Sequence, residues 1–386
     1  MIACIIYLPK VKRAKAFAAS LDMENIEHSF LHMKDHLPIK KLTKSSAPFH
    51  FKRKDDITLP ESFNYKGQTY STKRFLDSSY TQGLLIIQDD CIRYEQYARS
   101  QHENSPHISW SVAKSYVSAL FGIAIEEGYI KSINQSVDEY LPDLKGSGYE
   151  GVSIKDVLQM SSGVKFDETY GDPSSDIQRY WKGFVFGRSQ NKFARTLKNM
   201  RPPGTYNEYI SINTHVLGML LVKATGQSLT DYLQAKIWEP LGNEHNAYWL
   251  ADGKGMEMAL GGLNATLRDY AKLGRLYLNK GNWNGTQIVP AAWVEASTHA
   301  SEAHLLPHSK LSSRPDFGYG YQWWILDGAE SEYMAIGVFN QYIYINPTTN
   351  TIIVKNSANQ NFYDEENPHS HSVAHVEMFR KIAQAF

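Results

Sequence analysis

The residues with the clearest chemical potential are Ser111 and Lys114, three positions apart in the stretch ISWSVAKSYVSALFG at 108–122. A lysine in an apolar run is costly to bury without a partner, and a buried hydroxyl is tolerated only when hydrogen-bonded. On a helix this spacing puts both groups on one face. The helix amino terminus favours an oxyanion near the hydroxyl, and desolvation lowers the pKa of an amine until it can accept the serine proton. The pair therefore has the chemistry of nucleophilic acyl transfer, although a snorkelling lysine on a core helix would show the same spacing.

Ser-x-x-Lys also occurs at 162–165 and 189–192. Ser162 precedes Gly163 in a turn, and Ser189 lies in the polar run GRSQNK, where a lysine is solvated. Only Ser111 opens an almost wholly apolar helix, expected over 111–127 and stopped by Gly128. A second constellation stands at 201–218, RPPGTYNEYISINTHVLG, where a Pro-Gly-Thr turn precedes Tyr209, Ser211 and a helix.

Other elements must position these groups. Apolar runs on either side of Gln88, Asp89 and Asp90 predict a β-hairpin over 83–97. Helical spacing recurs at 153–160, 212–225, 228–241 and 267–279, and a last helix is expected from Ser372 to the end. Strands return at 318–326 and 340–357, the latter a hairpin turning at 346–350. Residues 20–40 read as an amphipathic helix followed by a proline-containing linker, and 41–62 as irregular. Strands at both ends with helices between predict an α+β fold: one sheet completed by distant parts of the chain, flanked by terminal helices, with a mostly helical lobe inserted. The expected division is an extension over 1–62 and a catalytic domain over 63–386, whose sheet comes from 63–110 and 300–386 and whose lobe spans 111–299.

In this order the motifs resemble the serine hydrolases of the class C β-lactamase, penicillin-binding and esterase superfamily, and more closely the 6-aminohexanoate-dimer hydrolases and their esterase-like relatives. The supporting segments include EEGYIKSINQSVDEYLPDL, SIKDVLQMSSGV, GGLNATLRDYAKLG and GYGYQWWI, and the resemblance covers about residues 70–360. It implies a β-lactamase/transpeptidase-like antiparallel sheet with the lobe beside it. It implies Ser111 as nucleophile, Lys114 as its partner in proton transfer, and Tyr209 as second base or as the acid for the leaving group. A phenol near an ammonium has a lowered pKa, so a phenolate-like Tyr209 is the expectation. Ser211 stands where many relatives have Asn; Ser211 with Asn213 also forms the Ser-x-Asn of class A enzymes, and the Pro-Gly-Thr spacing favours the tyrosine register.

The third motif departs from the pattern. GVFNQ at 337–341 stands where relatives carry Lys-Thr-Gly or His-x-Gly, so Val338 replaces a charged residue and Asn340 a glycine. The oxyanion hole implied is the backbone N–H of Ser111 and that of Gln341. Tyr170 resembles a lobe tyrosine that closes over substrate, Asn264 lines the pocket or caps the helix after it, and Val338 and Phe339 complete the expected substrate-binding set. The function implied is hydrolysis of small esters, with amides a further substrate, through an acyl-enzyme and without metal or organic cofactor. The alternatives are a D-alanyl-D-alanine carboxypeptidase or β-lactamase-like enzyme, and a ligand sensor without turnover.

Composition narrows the field without choosing a substrate. Forty basic and forty acidic residues leave no net charge, so no global field points to nucleic acid. Cys4 and Cys91 form no metal or redox pattern. Gly146, Gly148 and Gly151 match a dinucleotide fingerprint but follow no buried strand. His28, His32 and His36, like His369, His371 and His375, read as solvated stripes. No Gly-x-Ser-x-Gly elbow or P-loop is present. The start, MIACIIYLP followed by KVKRAK, is too short to span a bilayer; its apolar-then-basic order favours the tail of a membrane anchor or signal sequence over a docked strand or helix start. That would make the protein periplasmic or membrane-anchored, the docked form cytoplasmic. The oligomeric state stays open, a homodimer included.

Overall fold

The computed structural model describes residues 19, 22–364 and 366–385. The apolar-then-basic start at 1–15 lies outside the described residues. Among them the larger sheet has eight strands: β1 (Lys52–Arg53), β2 (Thr81–Gln88), β3 (Cys91–Tyr97), β4 (Gly318–Tyr319), β5 (Trp324–Ile325), β6 (Tyr333–Gly337), β7 (Gln341–Asn346) and β8 (Thr351–Ser357). Their spatial order is β4-β5-β6-β7-β8-β2-β3-β1, so the late strands complete a sheet begun by the early hairpin. Neighbours run antiparallel, with Ile86 opposite Ile353, except at the edge, where β1 pairs with β3 in parallel. The β2–β3 hairpin turns on Asp89 and Asp90, both at positive φ, the conformation that matches the right-handed strand twist.

Four helices matter for the site: α1 (Ala113–Glu126), α2 (Ile212–Thr225), α3 (Leu267–Leu278) and α4 (Ser372–Ala383). Strand alternation divides the core in two. Leu85, Ile87, Ile343, Ile345, Ile352 and Val354 face the cluster that includes α3 and the lobe. Leu84, Ile86, Tyr342, Tyr344 and Ile353 face the cluster that includes Met378, Phe379 and Ile382 of α4. A Cβ on Gly274 of α3 would lie 2.8 Å from Ile352 Cγ2, so glycine permits that helix to lie close to the sheet. The α1 helix is buried at every position from Ala113 to Ala124 and packs against α2. It ends where Gly128 takes φ +77 and donates its N–H to Ile125 O.

Two sequence expectations need correction. Among the described residues 22–40 there is no long helix: the chain forms Ile26–Ser29 and a 3-10 turn at Met33–Asp35, then a strand at Ile39–Leu42. Phe30, Met33 and Leu37 are all buried, a pattern that suits short turns pressed on the body, and Pro38 stops helical propagation. Over 228–241 the α-helix is short, Leu229–Leu233, and continues as a π-turn at Gln234–Trp238.

Candidate active site

The chain approaches Ser111 through Trp110, a bulky residue at φ +46. That left-handed conformation is unfavourable and persists only where packing enforces it. Here the indole is held edge-on among Phe30 at 5.3 Å and Trp181 at 5.4 Å, with Phe339 tilted at 5.9 Å. A 3-10 turn at Trp110–Val112 then leads into α1 and carries Ser111, 8% exposed, beside the interior strands β6 and β7.

Lys114 is 2% exposed, and its Nζ donates to Ser111 Oγ at 2.7 Å and to the Leu260 carbonyl at 2.7 Å. Burial lowers its pKa to about 7, with the Glu168 charge acting in the other direction. A large fraction of the amine is therefore unprotonated at neutral pH and able to accept a proton.

The ring of Tyr209 lies 5.3 Å from Lys114 Nζ and stacks on Trp324 with centroids 5.0 Å apart. The expected phenolate is not found. Burial holds the Tyr209 pKa well above the ordinary phenol value, Ser111 as hydrogen-bond partner lowers it, Glu168 raises it further and Arg314 lowers it. The reason is that the lysine meant to supply positive charge is itself depressed by the same burial. In this state a neutral Lys114 amine can accept a proton and a protonated Tyr209 can donate one.

The other two Ser-x-x-Lys matches lie elsewhere. Ser162 is buried and donates to Asn213 Oδ1, while Lys165 and Lys192 are exposed. Asn213 also accepts from Tyr149 and is thereby spent in the lobe core, which removes the Ser-x-Asn register. Ser211 caps α2 by position, is fully buried, and gives both its N–H and its hydroxyl to Glu168. Tyr170 reaches the rim, with its hydroxyl donated to Glu168 Oε1 at 2.9 Å and its ring stacked on Tyr363. Asn264 does not cap α3; Thr266 does. Asn264 is buried, pairs with Ile108 three residues before the serine, and donates to the Gly262 carbonyl.

The third-motif turn carries Phe339 at φ +62 and Asn340 at φ +68, the second a residue type suited to that conformation. Asn340 donates to Tyr342 Oη at 2.8 Å and accepts from Asn359 at 2.6 Å. Gln341 bridges the turn to the Ser357 backbone, accepting from its N–H at 3.0 Å. Val338 is partly covered and brings no charge. A Cβ on Gly337 would stand 2.5 Å from the Ser109 carbonyl, so backbone meets backbone here. Gly337→Ala is expected to separate the end of β6 from the serine turn, lowering stability by about 1–3 kcal/mol and turnover at least ~10-fold. Thermal melting and steady-state kinetics on the same sample check both.

Sequence reasoning missed Glu168, Arg314 and the aromatic pair Phe362–Tyr363. Both rings of that pair pack against Phe339, and Arg314 lies 5.9 Å from the Tyr209 ring centroid. The only local signal was a carboxylate two positions before Tyr170; nothing in spacing joins 168 to 211, or 362 to 339. The arrangement has the groups that forming an acyl-enzyme needs: a hydroxyl with an amine of lowered pKa in contact, a phenolic donor near the amine, and strands β6 and β7 alongside.

The β-lactamase family model matches residues 81–376. The 6-aminohexanoate-dimer hydrolase of Paenarthrobacter ureafaciens is 30% identical over 291 residues, 73% of this chain and 74% of that protein. A Bacillus anthracis structure provisionally named a 6-aminohexanoate-dimer hydrolase is 27% identical, covers 95% of each chain and superposes with a TM-score of 0.83. EstCE1, described as a hydrolase with promiscuous acyltransferase activity, shares the fold at 15% identity, with 81% of this chain and 96% of that one covered and a TM-score of 0.62. Together with the α+β architecture and the Ser111–Lys114–Tyr209 cluster beside β6 and β7, the match establishes that the chain belongs to the β-lactamase family of serine hydrolases.

Proposed function

We propose that the protein hydrolyses small esters, and amides more slowly, through an acyl-enzyme on Ser111. The observation that carries the reading is the 2.7 Å contact between Ser111 Oγ and a Lys114 amine whose pKa lies near 7. Ser111 Oγ attacks the substrate carbonyl carbon as its proton passes to Lys114. The backbone N–H groups of Ser111 and Gln341 receive the oxyanion. The bond to the leaving oxygen or nitrogen breaks as that atom takes the Tyr209 proton, and Lys114 returns a proton to the phenol. Water then repeats the sequence on the acyl-enzyme.

Two features support an ester over a β-lactam. Val338 leaves the third motif without the cation that would hold a substrate carboxylate, and the rings of Phe339, Phe362, Tyr363 and Tyr170 cluster beside that motif. The name of the Paenarthrobacter relative supports amides as further substrates, and a protonated Tyr209 suits an amine leaving group. Purified protein is expected to turn over p-nitrophenyl acetate readily and nitrocefin poorly. The reverse ranking would overturn the ester assignment; D-alanine release from a model pentapeptide would replace it with a peptidase, and a stable Ser111 adduct without turnover with a sensor.

A further inference from the structure

The Glu168 side chain is half-buried where three parts of the site meet. Its Oε2 accepts from the Ser211 N–H at 2.8 Å, and its Oε1 accepts from the Ser211 hydroxyl at 2.5 Å and the Tyr170 hydroxyl at 2.9 Å. All three contacts are donors, the set a carboxylate requires and a protonated acid would leave partly unused. They join two segments far apart in sequence, the 166–172 loop and the start of α2, which follows directly on Tyr209. Glu168 is also the charged group that acts on Lys114 among the described residues, and it acts on Tyr209 as well. Around the cluster, Tyr170 faces it from its own loop, Lys114 from α1, and Tyr209 from the turn before α2, while Arg314 reaches Tyr209 from the 312–316 loop.

We infer that Glu168 is a positioning residue for the acyl transfer: it fixes the Tyr209–Ser211 segment against the lobe loop and supplies the negative charge that Lys114 and Tyr209 sense. The inference rests on the proposed roles of Ser111, Lys114 and Tyr209. Two consequences follow. The hydrogen bonds keep Tyr209 at the distance proton return requires. The charge stabilises the lysine ammonium, so removing it leaves the amine free at a lower pH.

The test measures the rate of Ser111 labelling by a fluorophosphonate between pH 5 and 9, with kcat and KM for p-nitrophenyl acetate, on the full chain. Wild-type labelling should rise with pH through about 7. In Glu168→Gln, nearly the same in shape, that rise should move down by at least about half a pH unit, with kcat falling about 10-fold and KM little changed. Glu168→Asp keeps the charge but shortens the reach to Ser211, so its rise should stay in place while kcat falls. A Glu168→Gln profile superimposable on wild type, with both variants folded by melting and circular dichroism, overturns the inference alone. Wild-type protein that does not label at Ser111 overturns the proposed function instead.

Discussion

Ser111→Ala is expected to leave a folded protein with at least ~10³-fold less p-nitrophenyl acetate turnover, because Ser111 is the proposed nucleophile. The side chain is small and nearly buried, and its loss removes one acceptor from Lys114 while the Leu260 carbonyl still receives that amine. The melting temperature should therefore change little. Intact-mass measurement after fluorophosphonate treatment supplies the second readout: one adduct on wild type, mapped to the peptide containing residue 111, and none on the variant. A variant that keeps its adduct would move the nucleophile away from Ser111.

Lys114→Met is expected to lose activity on a similar scale while gaining stability. The folded amine titrates near 7 against an ordinary 10.5, so the folded state disfavours the charged form. The unfolded chain binds the extra proton between those values, so wild-type stability rises with pH from about 7 to 10.5 and carries the full penalty below 7. At about 1.4 kcal/mol per pH unit, the gross penalty is roughly 4–5 kcal/mol. Methionine removes it but leaves the Leu260 carbonyl without its lysine donor, a loss of about 1–3 kcal/mol. A net gain near 2 kcal/mol at pH 6 is expected, shrinking toward pH 10. Denaturant unfolding at pH 6, 8 and 10 checks the sign. An enzyme that holds a buried base against its own stability should show this exchange, whereas a structural lysine would give a plain loss.

The helices α1, α2 and α3 were legible because their apolar spacing is local, and α2 matches the expected 212–225 span. The hairpins were legible for the same reason: Asp89, Asp90 and Asn350 are turn residues at positive φ, flanked by alternating side chains. The misreading over 20–40 came from apolar positions that suited a helix period but are buried by a small sheet of distant strands, in which Ile39–Leu42 pairs with Ala247–Leu250.

The sequence by itself determined the candidate pair, because a spacing of three at a helix start brings a hydroxyl and an amine together wherever that helix sits. It also determined that Tyr209 follows a turn and that the third motif lacks a cation. Tertiary structure alone decided the direction of the two pKa shifts, since burial depth is a property of the packed core and it moved Lys114 down and Tyr209 up together. It alone brought Glu168 to Ser211 across 43 residues and set the Gly337 backbone against Ser109. Such contacts arise when the sheet closes around the lobe, and no local period encodes them.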